Sequence, residues 1–378
     1  MFSFFSNKEK ENLSIIFDIQ SGLVRGALIL NKGNEPTRVL RVVTRSIPHK
    51  SHTNGSYLTK MMLKALSETG EILSLQIKRS PKTIHYVLSS PWVFSQSKTL
   101  TLHFEKDTEI TDKLVTSFVE EERRRLEEKS KITNSDLSFI EQKIFEIKLN
   151  GYKVTTYEGK EARSLDISFA ATLSSKKLLN RIHTTINKAL HSKSDVCYHS
   201  ALLLNFLAMR SLVPEKDNFV EMHVHSELTD VVVVKNGLSA HLASFPFGTS
   251  TLLRKLESSL KESPETTDST LHLFIDGKLE SAQQEKTNSH IKPILQHWYD
   301  EYIKSSEHRD DDLFLPKTVY ISSHDYLALF KSVIKENNKM TQVNSFETTS
   351  ADMHVIFDKT SEYNQLVGMY ALALRSMV

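Results

Sequence analysis

A strand–turn–strand–turn–strand pattern occurs twice in this chain, about 205 residues apart. In the first copy, Leu13–Ile19 is a β-branched run that ends in a turn at Gln20-Ser21-Gly22. Leu23–Leu30 resumes as a strand, Asn31–Asn34 signals a hairpin turn, and Arg38–Ile47 reads as a third strand. In the second copy, Phe219–His225 is a strand and Ser226–Thr229 a turn. Asp230–Val234, a turn at Lys235-Asn236-Gly237 and Leu238–Phe245 complete it. Each copy leads on to a helix, read at Tyr57–Gln76 from its near-helical apolar spacing and at about Ser250–Lys261. A repeat of this length is a duplicated topology, not a short-period solenoid. It calls for an α/β fold in two similar lobes, with mixed sheets.

Between the copies, Thr83–Leu88 reads as a further strand of the first lobe, and from Ser95 the texture changes. Lys98–Phe104 reads as a strand and Ile110–Lys131 as a charged helix with one apolar face. Its Glu120–Glu128 run is expected to be a solvated outer face laced with i,i+4 pairs. Phe139–Tyr157 gives two strands around Asn150-Gly151. Residues 95–163 therefore read as a small α+β insertion in the first lobe. Leu165–Thr172 then returns to a buried strand, Ser174 or Ser175 caps a helix to about His191, and a short strand from Val196 precedes an apolar helix near 200–212. The polar connector Pro214–Asp217 is the expected boundary, which gives lobes of 1–213 and 214–378. In the second lobe, residues 263–315 read as polar and irregular apart from a helical signal at Ser289–Ser305. Thr318–Ser322 is a buried strand, Asp325–Glu336 a helix, Val355-Ile356 a short strand and Tyr363–Met377 a closing helix.

Composition narrows the function classes. Lysine and arginine number 48 against 46 acids, a balance of +2 that argues against a dedicated nucleic-acid binder. The lone Cys197 rules out a disulfide framework and a thiolate zinc site, and it fits a reducing cytosol. Its Val-Cys-Tyr context favours a buried, inert thiol. The longest apolar stretch, Ala201–Met209, contains Asn205 and is far short of the roughly 20 residues a spanning helix needs. Phe2, Phe4 and Phe5 lack the flanks of a signal peptide and read as a frayed terminus, with a lipid interface or a partner groove as the alternative. Asp310–Asp312 reads as a solvated acidic loop.

These strings, in this order, resemble the FtsA and PilM branch of the actin-like ATPase superfamily. The branch's first loop reads like D-I-G-T/S-S-x-x-K; here it is Asp18-Ile-Gln-Ser-Gly-Leu-Val-Arg25. The second reads like D-I-G-G-G-T-T-D before a strand and a K-N-G turn; here it is His223-Val-His-Ser-Glu-Leu-Thr-Asp230, four valines and Lys235-Asn-Gly237. An I-P-F-G-G string is matched by Phe245-Pro-Phe-Gly-Thr249. The adenosine-side loop is Ile321-Ser-Ser-His324, and Val367–Arg375 resembles the closing helix. The insertion lies where this branch carries its small subdomain. A start of the M-F-x-F-F type favours the PilM side, and FtsA-like chains usually add a membrane helix beyond the last helix.

The resemblance implies a duplicated, ribonuclease H-like two-lobe fold with Mg-ATP held between two hairpins. Its site would draw on Asp18, Ser21, Gly22 and Arg25 in the first loop. Thr229, Asp230 and Gly248 would serve in the second, and Ser322 and Ser323 beside the purine. Phosphate loops use glycine so that backbone N–H groups can approach the ligand. Gln20, His225 and Glu227 stand where glycines are expected, and Glu227 would bring negative charge towards the phosphates. The expectation is that ordinary Mg-ATP hydrolysis is lost, while weak nucleotide binding stays open. His223, His225 and Glu227 share one strand face, and side chains filling an eroded phosphate loop are favoured over a metal site. The resemblance further implies a cytoplasmic scaffold at the inner membrane that captures the cytoplasmic tail of a PilN-like membrane protein beside the insertion. It leaves self-association and peripheral membrane contact open. An FtsA-like polymerising scaffold and a working ATPase or sugar-kinase-like enzyme are the alternatives.

Overall fold

The computed structural model describes residues 11–133, 136–191, 193–213, 217–306, 315–346, 349–359 and 361–377. Phe2, Phe4 and Phe5, most of the connector at Pro214 and the Asp310–Asp312 run lie outside the described residues. In the first lobe, β1 (Glu11–Ile19), β2 (Leu23–Lys32) and β3 (Thr37–Ser46) form an antiparallel meander. Helix α1 (Gly55–Ser74), capped by the Asn54 side chain, crosses back so that β4 (Thr83–Leu88) lies parallel to β1.

The insertion follows as β5 (Val93–Ile110), α2 (Asp112–Thr133), β6 (Leu137–Leu149), β7 (Tyr152–Val154) and β8 (Lys160–Ser175). These strands form their own antiparallel sheet in the order β5-β8-β6-β7. The strand read at Leu165–Thr172 therefore does not rejoin the first sheet: it is the middle of β8, central in the inserted sheet. An apolar run buried on both faces announces a central strand without saying of which sheet. In α2, Val115 and Val119 face the sheet as expected. The acidic run is not all solvated, because Glu122 is buried and accepts from Lys98 Nζ at 2.5 Å.

The chain returns through α3 (Lys176–Leu190), whose Ser175 cap accepts from Leu178 N, to β9 (Asp195–Ser200) and α4 (Ala201–Leu212). β9 pairs parallel to β4 at the edge of the first sheet. An edge strand leaves Cys197 only partly buried, contrary to the fully buried thiol expected.

The second lobe repeats the first. β10 (Phe219–Val224), β11 (Thr229–Lys235) and β12 (Leu238–Phe245) form the meander, and β13 (Thr318–Ser323) lies parallel to β10. Between them run α5 (Thr249–Leu260), α6 (Pro264–Ile275) and α7 (Ser281–Ser306). The segment read as irregular is thus mostly helical. Ser263 caps α6 with Pro264 in its first turn, an N-terminal signal that polar composition obscured. The weakly amphipathic α7 is anchored by the buried Ile291, Leu295 and Trp298. Helix α8 (Leu327–Asn337) and the short β14 (Gln342–Ser345) follow, giving a sheet in the order β12-β11-β10-β13-β14. The closing segment then leaves this lobe. β15 (Val355–Phe357) adds parallel to β3 on the first sheet, and α9 (Gln365–Ser376) packs against α4.

The apolar face of α1 and α3 covers one side of the first sheet, through Phe17, Leu66, Leu73 and Ile182. The second sheet is covered on its outer side by α5, α7 and α8, with Trp298 fully buried. Helices α4 and α9 lie between the two sheets, and their core holds Ile16 and Val87 from one sheet with Val232 and Val234 from the other. That position explains why α4 is apolar nearly all round, as a helix buried on every side must be. No helix among the described residues is long and apolar enough to cross a membrane.

Candidate functional site

The duplicated hairpins meet where the two lobes face each other. In the first, Asp18 on β1 pairs in register with Arg25 on β2; in the second, His223 on β10 pairs with Asp230 on β11. The four residues are equivalent in pairs and all are buried. Arg25 Nη1 donates to Asp18 Oδ2 at 2.5 Å and Gln20 Nε2 donates to the same oxygen at 2.9 Å. Among the described residues, Asp18 Oδ1 has no hydrogen-bond partner. The guanidinium thus puts a fixed positive charge on this carboxylate. Burial still pushes the Asp18 carboxyl above its ordinary range, against the pull of Arg25 and Gln20.

Asp230 is held differently. His225 Nε2 lies 3.1 Å from its Oδ2, and Ser244 Oγ donates to its Oδ1 at 2.5 Å. Burial opposes ionisation here too, but His225, Ser244 and Ser90 outweigh it and hold the carboxyl below its ordinary range.

The loops between the strands touch across the cleft. His225 Nδ1 lies 3.4 Å from Gln20 Oε1, and Glu227 N donates to Ser21 Oγ at 3.2 Å. A Cβ on Gly22 would stand 2.6 Å from Ser226 Cβ, so the chains approach as closely as glycine allows. Behind them, Gly248 passes over the second loop, where a Cβ would run into the carbonyl oxygens of His225 and Ser226. The first amides of α5 are used in this packing: Thr249 N donates to His225 O at 2.9 Å and Ser250 N to Ser226 O at 2.8 Å. Ser90 to Ser244, at 3.1 Å, and His49 to Glu257, at 2.5 Å, add two more links between the lobes.

The remaining candidates are also engaged within the protein. Thr229 Oγ1 donates to Phe247 O and accepts from Trp298 Nε1, which ties the hairpin to the second-lobe core. Ser322 Oγ lies 2.7 Å from His223 Nδ1, while His223 Nε2 meets the buried Glu221 at 2.7 Å. Ser323 Oγ donates to backbone carbonyls of Val224 and Asp325. Glu227 does not project its charge at the first loop: Arg254 on α5 grips both its oxygens, at 3.1 and 2.6 Å. His223, His225 and Glu227 thus turn to different partners rather than converging.

Sequence reading missed Ser90, Ser244, Arg254 and His49, which lie outside the loop strings and reach the site only through packing. The loop contact separates two cavities. One of about 390 Å³ is lined by Gly22, His49, Ser226, Ser250, Asp268 and Tyr326. The other, of about 210 Å³, is lined by Arg25, Asn205, His223, Ser322, Ser323 and Tyr370. Gln20 and His225 border both.

Two sheets built on the same duplicated meander, with two helices between them and a loop from each lobe meeting in the cleft, define the actin-like ATPase fold. Among solved structures, the chain is similar to that of the PilM–PilN type IV pilus biogenesis complex, with a TM-score of 0.66 at 12% identity over 97% of this chain and 98% of that one. The arrangement is thus PilM-like in fold. Looser likenesses are to the ethanolamine utilization protein EutJ from Carboxydothermus hydrogenoformans (TM-score 0.44, 10% identity, 97% and 89% covered) and to the cytoplasmic domain of EpsL, an inner-membrane component of the type II secretion system of Vibrio cholerae (TM-score 0.39, 8% identity, 97% and 95% covered). No family model and no curated protein matches the sequence.

Proposed function

We propose that this chain is a PilM-like scaffold in which the nucleotide cleft has become a packed joint between the lobes, and that it works by binding a membrane partner. The observation that carries this reading is the direct contact between the two hairpin loops. A triphosphate in this fold needs free backbone amides and a metal carboxylate. Here Glu227, Thr249 and Ser250 spend their amides on Ser21, His225 and Ser226, and Arg25 occupies Asp18. The arrangement therefore does not fit ATP phosphates without opening the joint. Asp18, Ser21, Gly22, Arg25, Thr229, Asp230, Gly248, Ser322 and Ser323 act as its structural residues. The test is phosphate release from Mg-ATP by the purified chain. The reading expects no more turnover than in Asp18→Ala, and turnover abolished by that substitution overturns it.

The partner is proposed by analogy with the similar complex, whose printed name pairs PilM with PilN. A type IV pilus or secretion assembly is the setting this suggests, with the chain cytoplasmic and held at the inner membrane through its partner. The inserted sheet is the proposed dock. β5 is one of its edge strands, with Phe94 61% exposed at its start, and extended tails add to such edges through backbone hydrogen bonds. Capture of a membrane protein from detergent extract by the full chain, lost in Phe94→Asp, supports this dock. Undiminished capture by that variant moves it elsewhere.

A further inference from the structure

The edge of the first sheet carries a second cluster, unrelated to the cleft. β4 and β9 run parallel with His85 opposite Cys197, and Cys197 and His199 alternate on one face of β9. The ligand atoms of His85, Cys197 and His199 lie within 4.8 Å of one another. His85 Nδ1 and His199 Nε2 are 3.2 Å apart. Two nitrogens bound to one zinc ion at about 2.0–2.1 Å in tetrahedral geometry stand about 3.3 Å apart. The pair is already at the separation an ion would require.

The surroundings select this set further. His199 Nδ1 lies 3.2 Å from Glu141 Oε1, which leaves Nε2 directed at His85. A carboxylate behind a histidine in this way fixes ring orientation and raises ligand basicity in metal sites. Glu141 is itself held, accepting from Ser200 N at 2.9 Å through its other oxygen. It comes from β6 of the insertion, where the β6–β8 register slips between Phe139 and Glu141. Such a bulge re-aims a side chain, here towards a neighbouring sheet. On the other side, His85 borders a cavity of about 540 Å³ lined also by Asn12, Ser14, Asn31 and Thr83.

We propose that His85, Cys197 and His199 bind a zinc ion, with Glu141 positioning His199 and water in the fourth place. One thiolate and two imidazoles suit this borderline-soft cation. The expectation that a lone cysteine excludes such a site counted only thiolates. The two histidines that complete it come from strands more than a hundred residues apart in sequence. The ion would tie β4 to β9 at the edge of the first sheet, with the inserted sheet holding His199 through Glu141.

The test uses the full chain, stripped with chelator and titrated with Co²⁺, then Zn²⁺. The expected result is one bound Co²⁺ per chain with a near-ultraviolet thiolate-to-cobalt band, displaced by one equivalent of Zn²⁺. Because the chain has one cysteine, that band reports Cys197 alone. His85→Gln and Cys197→Ser, checked for folding by circular dichroism, should each weaken Zn²⁺ binding by about 100-fold or more, and Glu141→Gln by about 10-fold. A folded wild-type chain that takes up no Co²⁺, or takes it up without the band, overturns the proposal. So does Zn²⁺ affinity unchanged in His85→Gln, since the ion would then sit elsewhere among the 16 histidines.

Discussion

The two hairpins have the same strand order and pairing, yet they hold their buried charges in opposite ways. In the first lobe Asp18 accepts from Arg25 and Gln20 through a single oxygen, and its other oxygen is left without a partner among the described residues. In the second, Asp230 is shared by an imidazole and a hydroxyl, and the equivalent of Asp18 is His223. Donors gathered on one oxygen leave the other desolvated without recompense, whereas donors on both oxygens of a carboxylate outweigh its desolvation. The opposite shifts of Asp18 and Asp230 follow from that difference. Duplication supplied two equal frames; the side chains made one a half-satisfied ion pair and the other a node with donors on both oxygens.

The sharpest way to break this comparison is to remove one partner from each node. Arg25→Met strands a buried carboxylate and should cost about 3–5 kcal/mol in chemical denaturation. Adding Asp18→Leu should recover part of that loss, because no charge is then left unpaired. A loss below 1 kcal/mol in the single variant would mean that Asp18 is neutralised without Arg25, by a proton or by another counter-charge. Asp230→Asn should cost less, about 1.5–3 kcal/mol at neutral pH. Its lowered carboxyl contributes stability that is fully present above the ordinary aspartate value of 3.8 and disappears as pH falls through the still lower folded value. The gap between wild type and Asp230→Asn should therefore close in acid, and a constant gap from pH 7 down to pH 2 would refute the assignment.

Two smaller effects probe how tightly the loops meet. Gly248→Ala forces a Cβ into backbone carbonyls and should destabilise by about 1–3 kcal/mol. Gly22→Ala meets only the Ser226 side chain, so Ser226→Gly should relieve most of its cost, with a double-mutant cycle as the measure. Additive effects would mean that the loops do not touch. The smallest change is expected at Glu227→Gln, whose pair with Arg254 is part-exposed: less than about 1 kcal/mol, reduced further by salt.

Hairpin turns and β-branched runs are local signals, so the duplicated meander and the departures from glycine at 20, 225 and 227 are legible in the sequence. It also marked α4 as the most apolar helix, though not that two sheets would enclose it. It misread α6 and α7, where caps and a few buried side chains outweigh polar composition. Long-range packing assigned the strands of ambiguous face, β8 to the inserted sheet and β15 to the first. It alone turned Glu227 towards Arg254 and set Gln20 against His225. It also gathered Cys197 with His85, His199 and Glu141. Pairing across a sheet or between lobes joins residues more than 300 positions apart, as Thr37 and Val355 are. Local periodicity carries no information about which of many equally apolar partners will be met.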